Sequence, residues 1–385
     1  MSRLLILAAF ATLSFAAGHF TGSNVCKKCH PIIYREYSES MHKRSSIAND
    51  PVHRAIWEKH PLKAGEKYTC AVCHTPSDER VMNALAAGKP AMPEPDNVQT
   101  HEPISCAYCH RIKSIERHTK QNRNILNGKP KYYYAAKRGK TEKEVVKFHE
   151  TSSFFGLSHS IEGSPFHTID YSNELFNSGK NCLGCHDHKQ NGKGFTICSL
   201  DLKERQNEKQ NCITCHMPQV PGSYSTIVKS KTHAYHGFAG VHLRPELLAD
   251  SILLAASEEN GMLKVTIENR ANHRLFSHPL RLGMLRIAIR RGGDTIQSDP
   301  VAFYTILGHD GKPAMPWMAD TILKAHTIEA YETKTLETGM HLQKGDRVTV
   351  TLGYHIVNPN AAEKLGIEEK KASEFRVLKS QTFFF

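Results

Sequence analysis

The sequence predicts an α+β protein of two unlike parts: a mostly helical and loop N-terminal domain over residues 18–244 and a C-terminal antiparallel β-sandwich over residues 245–385. Three observations predict it. One pentapeptide, Cys-x-x-Cys-His, recurs five times between positions 26 and 216. The same stretch has few long apolar periodic runs, so its interior has to come from something other than aliphatic side chains. After Arg244-Pro245 the pattern changes to period two, with Gly-containing turn signals between the alternating runs.

The five copies are Cys26-Lys-Lys-Cys29-His30, Cys70-Ala-Val-Cys73-His74, Cys106-Ala-Tyr-Cys109-His110, Cys182-Leu-Gly-Cys185-His186 and Cys212-Ile-Thr-Cys215-His216. Composition alone would supply roughly 0.02 copies of this attachment signature. Each copy fits covalent attachment of a c-type haem: the two thiols add to the two vinyl groups of one porphyrin, and the adjoining imidazole becomes the proximal iron ligand. The ten motif cysteines are therefore the expected anchors of five haems c, with His30, His74, His110, His186 and His216 as proximal ligands. Structural zinc also uses Cys-x-x-Cys knuckles, but it needs no His after every second Cys, and five knuckles would leave an unpaired half-site. The porphyrins then supply the missing core, with short helices after the motifs, long loops, and little or no sheet.

Residues 1–17 carry one charge, Arg3, followed by the apolar run Leu4 to Phe15 and the small residues Ala16 and Ala17. This predicts a secretory signal peptide, hence a periplasmic or otherwise exported protein with no transmembrane segment after cleavage. Of eleven cysteines, ten belong to the motifs, which excludes a disulfide framework and leaves Cys198, read first as a buried free thiol and second as a surface thiol for redox contact. The formal charge of +12 tempts one toward nucleic acid. Haem propionates lower it to about +1 to +6 in the mature holoprotein, so no nucleic-acid role is expected. The remaining excess is local, with twelve Lys or Arg against three Glu from Arg111 to Lys147. These cations neutralise propionates or form a solvated face; the sharper reading is a docking patch for an acidic redox partner.

The segment Tyr34 to His42 reads as helical. A first motif followed by Pro31, Tyr34 and Ser40-Met-His42 resembles the cytochrome c-554 family of multihaem cytochromes. The resemblance implies that His42 is a distal ligand to a different haem. The step from His110 to His118 is similar to the family's second distal His, with His101 competing. The lead-in Ser164-Pro-Phe-His167 to the fourth motif implies a ligand at His167. Thr232-His-Ala-Tyr-His-Gly resembles the segment that returns a distal His to the cluster and implies His233, with His236 and His242 as alternatives. The basic segment with Tyr132 to Tyr134 reads as an insertion on this scaffold.

Beyond residue 244, Leu263, Val265 and Ile267, then Leu285, Ile287 and Ile289, then Val348, Val350 and Leu352 alternate with polar residues. Glu258-Glu-Asn-Gly261 and Arg291-Gly-Gly-Asp294 are turn signals, and a short helix is expected near Ala361 to Leu365. Phe383 to Phe385 reads as strand packing. The phrase Asn269-Arg-Ala-Asn-His273 resembles a segment in the tail domain of many multihaem cytochromes, where the His reaches back to a haem. That implies a ligand at His273, although Asn272 stands where Gly is usual and His278 sits nearby.

Two functions follow from this ligand set. If every iron holds two His ligands, the chain is an electron carrier with no catalytic residues. If one iron is open, it is a reductase or oxidase of a small nitrogen or sulfur compound. Pentahaem nitrite reductases typically carry Lys in place of one motif His, and all five motifs here end in His. The carrier is therefore the expectation. The resemblance keeps the alternative in view, because the cytochrome c-554 family itself contains a haem with an open position.

Overall fold

The computed structural model describes residues 20, 22–137, 143–152, 159–204 and 210–385; the expected signal segment lies outside them. Each motif coils into about one helical turn: Asn24–Lys27, Ala71–His74, Cys106–Cys109, Leu183–His186 and Cys212–His216. Such a turn puts residues i and i+3 on one face, which brings the two cysteines together. The amide of the motif His closes the turn on the first cysteine's carbonyl, at 2.8 Å for His30, 2.9 Å for His74 and 3.0 Å for His110. Local chemistry also sets the neighbouring helices. Helix Pro31–Glu39 begins on a proline directly after His30. Ser40 caps Met41–Arg44, Asp50 caps Pro51–Glu58, and Asp78 caps Glu79–Ala86, each side chain accepting a first-turn amide.

The apolar packing of this half is sparse. Phe20, Tyr108, Ile112, Tyr134 and Phe176 form one buried cluster, and Trp57, Tyr68, Ala71, Val81 and Ala91 another. A cavity of about 3290 Å³ occupies the interior, and residues of all five motifs line it. That is several times the volume of an ordinary small-ligand pocket, roughly 300–1,000 Å³.

Contrary to expectation, this half also contains sheet. Ile112–Glu116 pairs with Arg123–Leu126, Tyr132–Tyr134 runs parallel to Thr168–Asp170, and Gln219–Pro221 pairs with Thr232–Ala234. These ladders are short, so no period-two signal accumulates along them. They satisfy backbone groups in the long connections between motifs.

Beyond Ser251 the period-two reading describes what forms. Strands Ile252–Glu259, Met262–Asn269 and Thr333–His341 make one antiparallel sheet. Val301–His309, Leu282–Arg291, Arg347–His355 and Phe375–Phe384 lie in that order in a second. All nine alternating aliphatics are buried in one core with Phe276, Phe303, Ile328 and Tyr354. The turns are legible: Asn260 (φ 54°) and Gly261 (φ 76°) close a two-residue hairpin in the left-handed conformation that Asn-Gly favours. Gly292-Gly293 joins Leu282–Arg291 to Asp294–Gln297, and a helix spans Pro359–Leu365. In the terminal phenylalanine run, Phe383 and Phe385 pack on the core while Phe384 faces out.

The two halves are joined by specific bonds. Tyr354 Oη donates to Val241 O at 2.8 Å, Asn191 Nδ2 donates to Ala319 O at 2.6 Å, and Lys203 N donates to Asn272 O at 2.9 Å. Among the described residues no helix is long and apolar enough to cross a membrane.

Candidate haem-binding site

Two imidazoles bound to opposite faces of one iron each place a nitrogen about 2 Å from it, so their ring centroids stand roughly 6 Å apart. Four motif histidines have a partner at that spacing. His30 faces His167 at 6.1 Å, His186 faces His42 at 5.9 Å, His110 faces His236 at 6.3 Å, and His216 faces His273 at 6.2 Å. The planes are tilted by 31°, 23° and 23° in the pairs of His30, His110 and His216, but by 72° in the pair of His42 and His186. Phe238 meets the His42 ring edge-on at 4.0 Å.

The ring nitrogens are arranged for ligation. Nδ1 of His30, His110 and His216 donates to the carbonyls of Tyr224, Tyr134 and Ala239 at 2.6, 2.7 and 2.6 Å. Nδ1 of His236 donates to Ala234 O and that of His273 to Arg274 O. A carbonyl can only accept, so Nδ1 holds the proton and Nε2 keeps the lone pair that a metal requires. Burial holds the imidazoles neutral as well, pushing His42, His74 and His236 down to about 3 and His167 to about 4. A buried Nδ1 on His167 has no protein partner.

The motif cysteines meet in sets. The thiol of Cys26 interacts with Cys106, Cys73 with Cys185, and Cys182 with Cys212, while Cys109 lies near Cys182 and Cys185. The first attachment point thus adjoins the third, the third the fourth, and the fourth both the second and the fifth. Cys198, expected as a buried thiol, is exposed on the cavity wall.

Two residues implied as distal ligands are placed elsewhere. The His118 side chain is 51 % exposed and faces Glu116 Oε2 at 3.3 Å. It follows strand Ile112–Glu116 and its ring stands out toward solvent, while its carbonyl accepts from His188 Nε2 at 2.6 Å. Its competitor His101 has both nitrogens engaged, by Asn49 and Pro95. His233 is buried, but Nδ1 donates to Gly222 O and Nε2 bonds Glu36 Oε1 at 2.9 Å, which leaves no lone pair for iron. His236, three residues on and past the end of strand Thr232–Ala234, is the imidazole whose ring faces His110. Sequence could not choose between them, because what occupies His233 is Glu36, about two hundred positions away.

His74 stands apart. Its nearest imidazole, His53, lies only 4.0 Å away, too close for an iron between them. Both Nδ1 atoms donate to the same carbonyl, Ser45 O, at 3.2 and 3.0 Å, which leaves Nε2 of His74 with its lone pair. No imidazole among the described residues faces His74 at the roughly 6 Å spacing of the other four.

The donor set, the neutral imidazoles and the cavity together fit covalently held haem, and they define a multihaem c-type cytochrome. A family model described as cytochrome c554 and c-prime matches residues 25–111, the first three motifs. Over that stretch the chain is similar to the cytochrome c554 family. The crystal structure of a penta-heme cytochrome c552 from Thermochromatium tepidum superposes with a TM-score of 0.67 over 95 % of this chain and 99 % of that one, at 19 % identity. At that identity the likeness establishes a shared fold. No curated protein matches the chain significantly.

Proposed function

We propose that the protein is an exported, periplasmic electron carrier with five covalent haems c, four of them held between two imidazoles, and with a C-terminal β-sandwich that contributes one of those ligands through His273. The observation that carries this reading is the set of four histidine pairs at 5.9 to 6.3 Å. An iron with two imidazoles has no free position, which favours electron transfer over bond chemistry. The run of adjacent attachment cysteines supports passage of electrons from one haem to the next. The basic stretch from Arg111 to Lys147 is the proposed docking face for an acidic redox partner, whose association should weaken with added salt.

One observation favours a second reading for one site. The iron held by His74 lacks an opposing imidazole, so it is the position where a small nitrogen or sulfur compound would bind if the chain is also a reductase or oxidase. Carbon monoxide titration of the reduced holoprotein separates the two. Binding at one haem in five without turnover of nitrite, hydroxylamine or sulfite is the expected result. Sustained turnover would move the protein to the enzyme class, and no binding at all would mean that the His74 iron has a sixth ligand. The steep tilt of His42 against His186 adds a spectroscopic mark. Crossed imidazole planes donate equally to both iron π orbitals, so one low-spin ferric haem should give a far more anisotropic electron paramagnetic resonance signal than the other three.

A further inference from the structure

At the seam between the two halves, the β region places a cation in the cavity with no carboxylate beside it among the described residues. Arg281 immediately precedes strand Leu282–Arg291, lines the cavity, and has a buried Nε with no hydrogen-bond partner. Among the described residues no carboxylate pairs with its guanidinium, and burial alone pushes it down to about 10. Its neighbours add donors, not negative charge. His242 comes from the haem-binding half and His278 from the loop before the strand, both near enough to Arg281 to feel its charge. His278 has the reverse arrangement to the iron-facing histidines: its Nδ1 accepts from Leu280 N at 3.2 Å, so Nε2 carries the proton. Val52 packs against the β core, and its neighbour His53 lies 4.0 Å from His74, so the second motif adjoins the β region, where His278 senses His74.

Arg281 is partly buried and its Nε is shielded from water without an acceptor, a desolvation cost that an anion reaching this fork would offset. The planar fork of Arg matches two oxygens at once. We propose that Arg281, His278 and His242 form an oxyanion-holding site beside the haem attached at Cys70 and Cys73, built to take a carboxylate or another small planar oxyanion. Two sources share this chemistry: a propionate of that haem, or a free anion entering the cavity. The inference rests on the haem-carrying reading, and an intact mass with five haems establishes that reading independently.

The test compares Arg281→Gln and Arg281→Lys with the parent holoprotein by redox titration, with and without added formate as the probe. If a propionate is the partner, removing the cation stabilises the ferric form and one of the five redox components moves to lower potential without any formate. If a free anion is the partner, the anion-free titration is unchanged. Formate then perturbs one haem saturably in the parent, about tenfold or more weakly in Arg281→Gln, and to an intermediate degree in Arg281→Lys. Thermal melting gives a further check, since loss of a paired cation lowers holoprotein stability. Holoprotein with all five haems in which Arg281→Gln shifts no potential, leaves the formate response unchanged and melts no lower would overturn the proposal. Should Arg281→Gln not fold, Arg281→Lys, which keeps the charge and loses the fork, carries the same comparison.

Discussion

The two halves of this chain solve the problem of an interior in opposite ways. Beyond residue 251, twenty buried residues from two antiparallel sheets and the loops and short helices packed on them make one continuous apolar core. Between residues 20 and 240 the buried clusters hold five residues each, and the space between elements is a cavity lined by the motif cysteines and histidines. At about 25 cal/mol per Å² of apolar surface removed from water, burial can stabilise the first kind of core unaided, while the second gains comparable burial only when porphyrin fills it. On this contrast one half should fold on its side chains and the other on the haem it binds.

The strongest way to break this contrast is to withhold the cofactor. Chain produced in a host without haem attachment should lose protection across residues 22–240 while 252–385 stays resistant, as read by limited proteolysis with mass spectrometry. Equal protection of both halves would refute the contrast. Next in size, Leu285→Ala should cost the β region about 2–5 kcal/mol in denaturant unfolding, the usual penalty for emptying a packed aliphatic site. The haem spectra should be unchanged at low denaturant. A mutation inside the haem half should behave conversely. His236→Ala should convert one low-spin haem to high-spin in the absorption spectrum with little loss of β-region stability, whereas His233→Ala should keep every haem's spin state and loosen the contact with Glu36. A reversal of these two phenotypes would make His233 the ligand.

The smallest expected effect is a pH dependence confined to the β region. Arg291 grips the buried Asp346 through Nε and Nη2 at 2.9 and 2.7 Å, and this pairing holds the carboxyl below its usual range. A depressed folded-state value means the pair stabilises the fold above the ordinary carboxyl value of about 3.9, and that contribution is lost as pH falls through the folded value. Arg291→Gln should therefore lower the melting temperature at pH 7 and flatten its decline below about pH 4. An unchanged acid slope would mean that other carboxylates control it.

What the sequence determined by itself is whatever depends on neighbours along the chain. The attachment motifs, their one-turn helices, the hairpin at Asn260-Gly261 and the alternation of Leu263, Val265 and Ile267 are all local, because covalent spacing, left-handed turn residues and strand periodicity act over a few positions. His42 and His167 were reachable through resemblance, and the structure sets each opposite a motif histidine of a different segment. The pairing of motif and distal histidines is a matter of tertiary structure. His233 and His236 stand three residues apart with the same side chain, and they differ because Glu36 from helix Pro31–Glu39 holds the ring of the first but only the backbone amide of the second, whose ring faces His110. His118 sits at a plausible offset after its motif, yet it follows the five-residue strand Ile112–Glu116 and faces solvent. Only the folded chain decided these cases, because a ring nitrogen can serve one partner at a time and that partner came from far along the sequence.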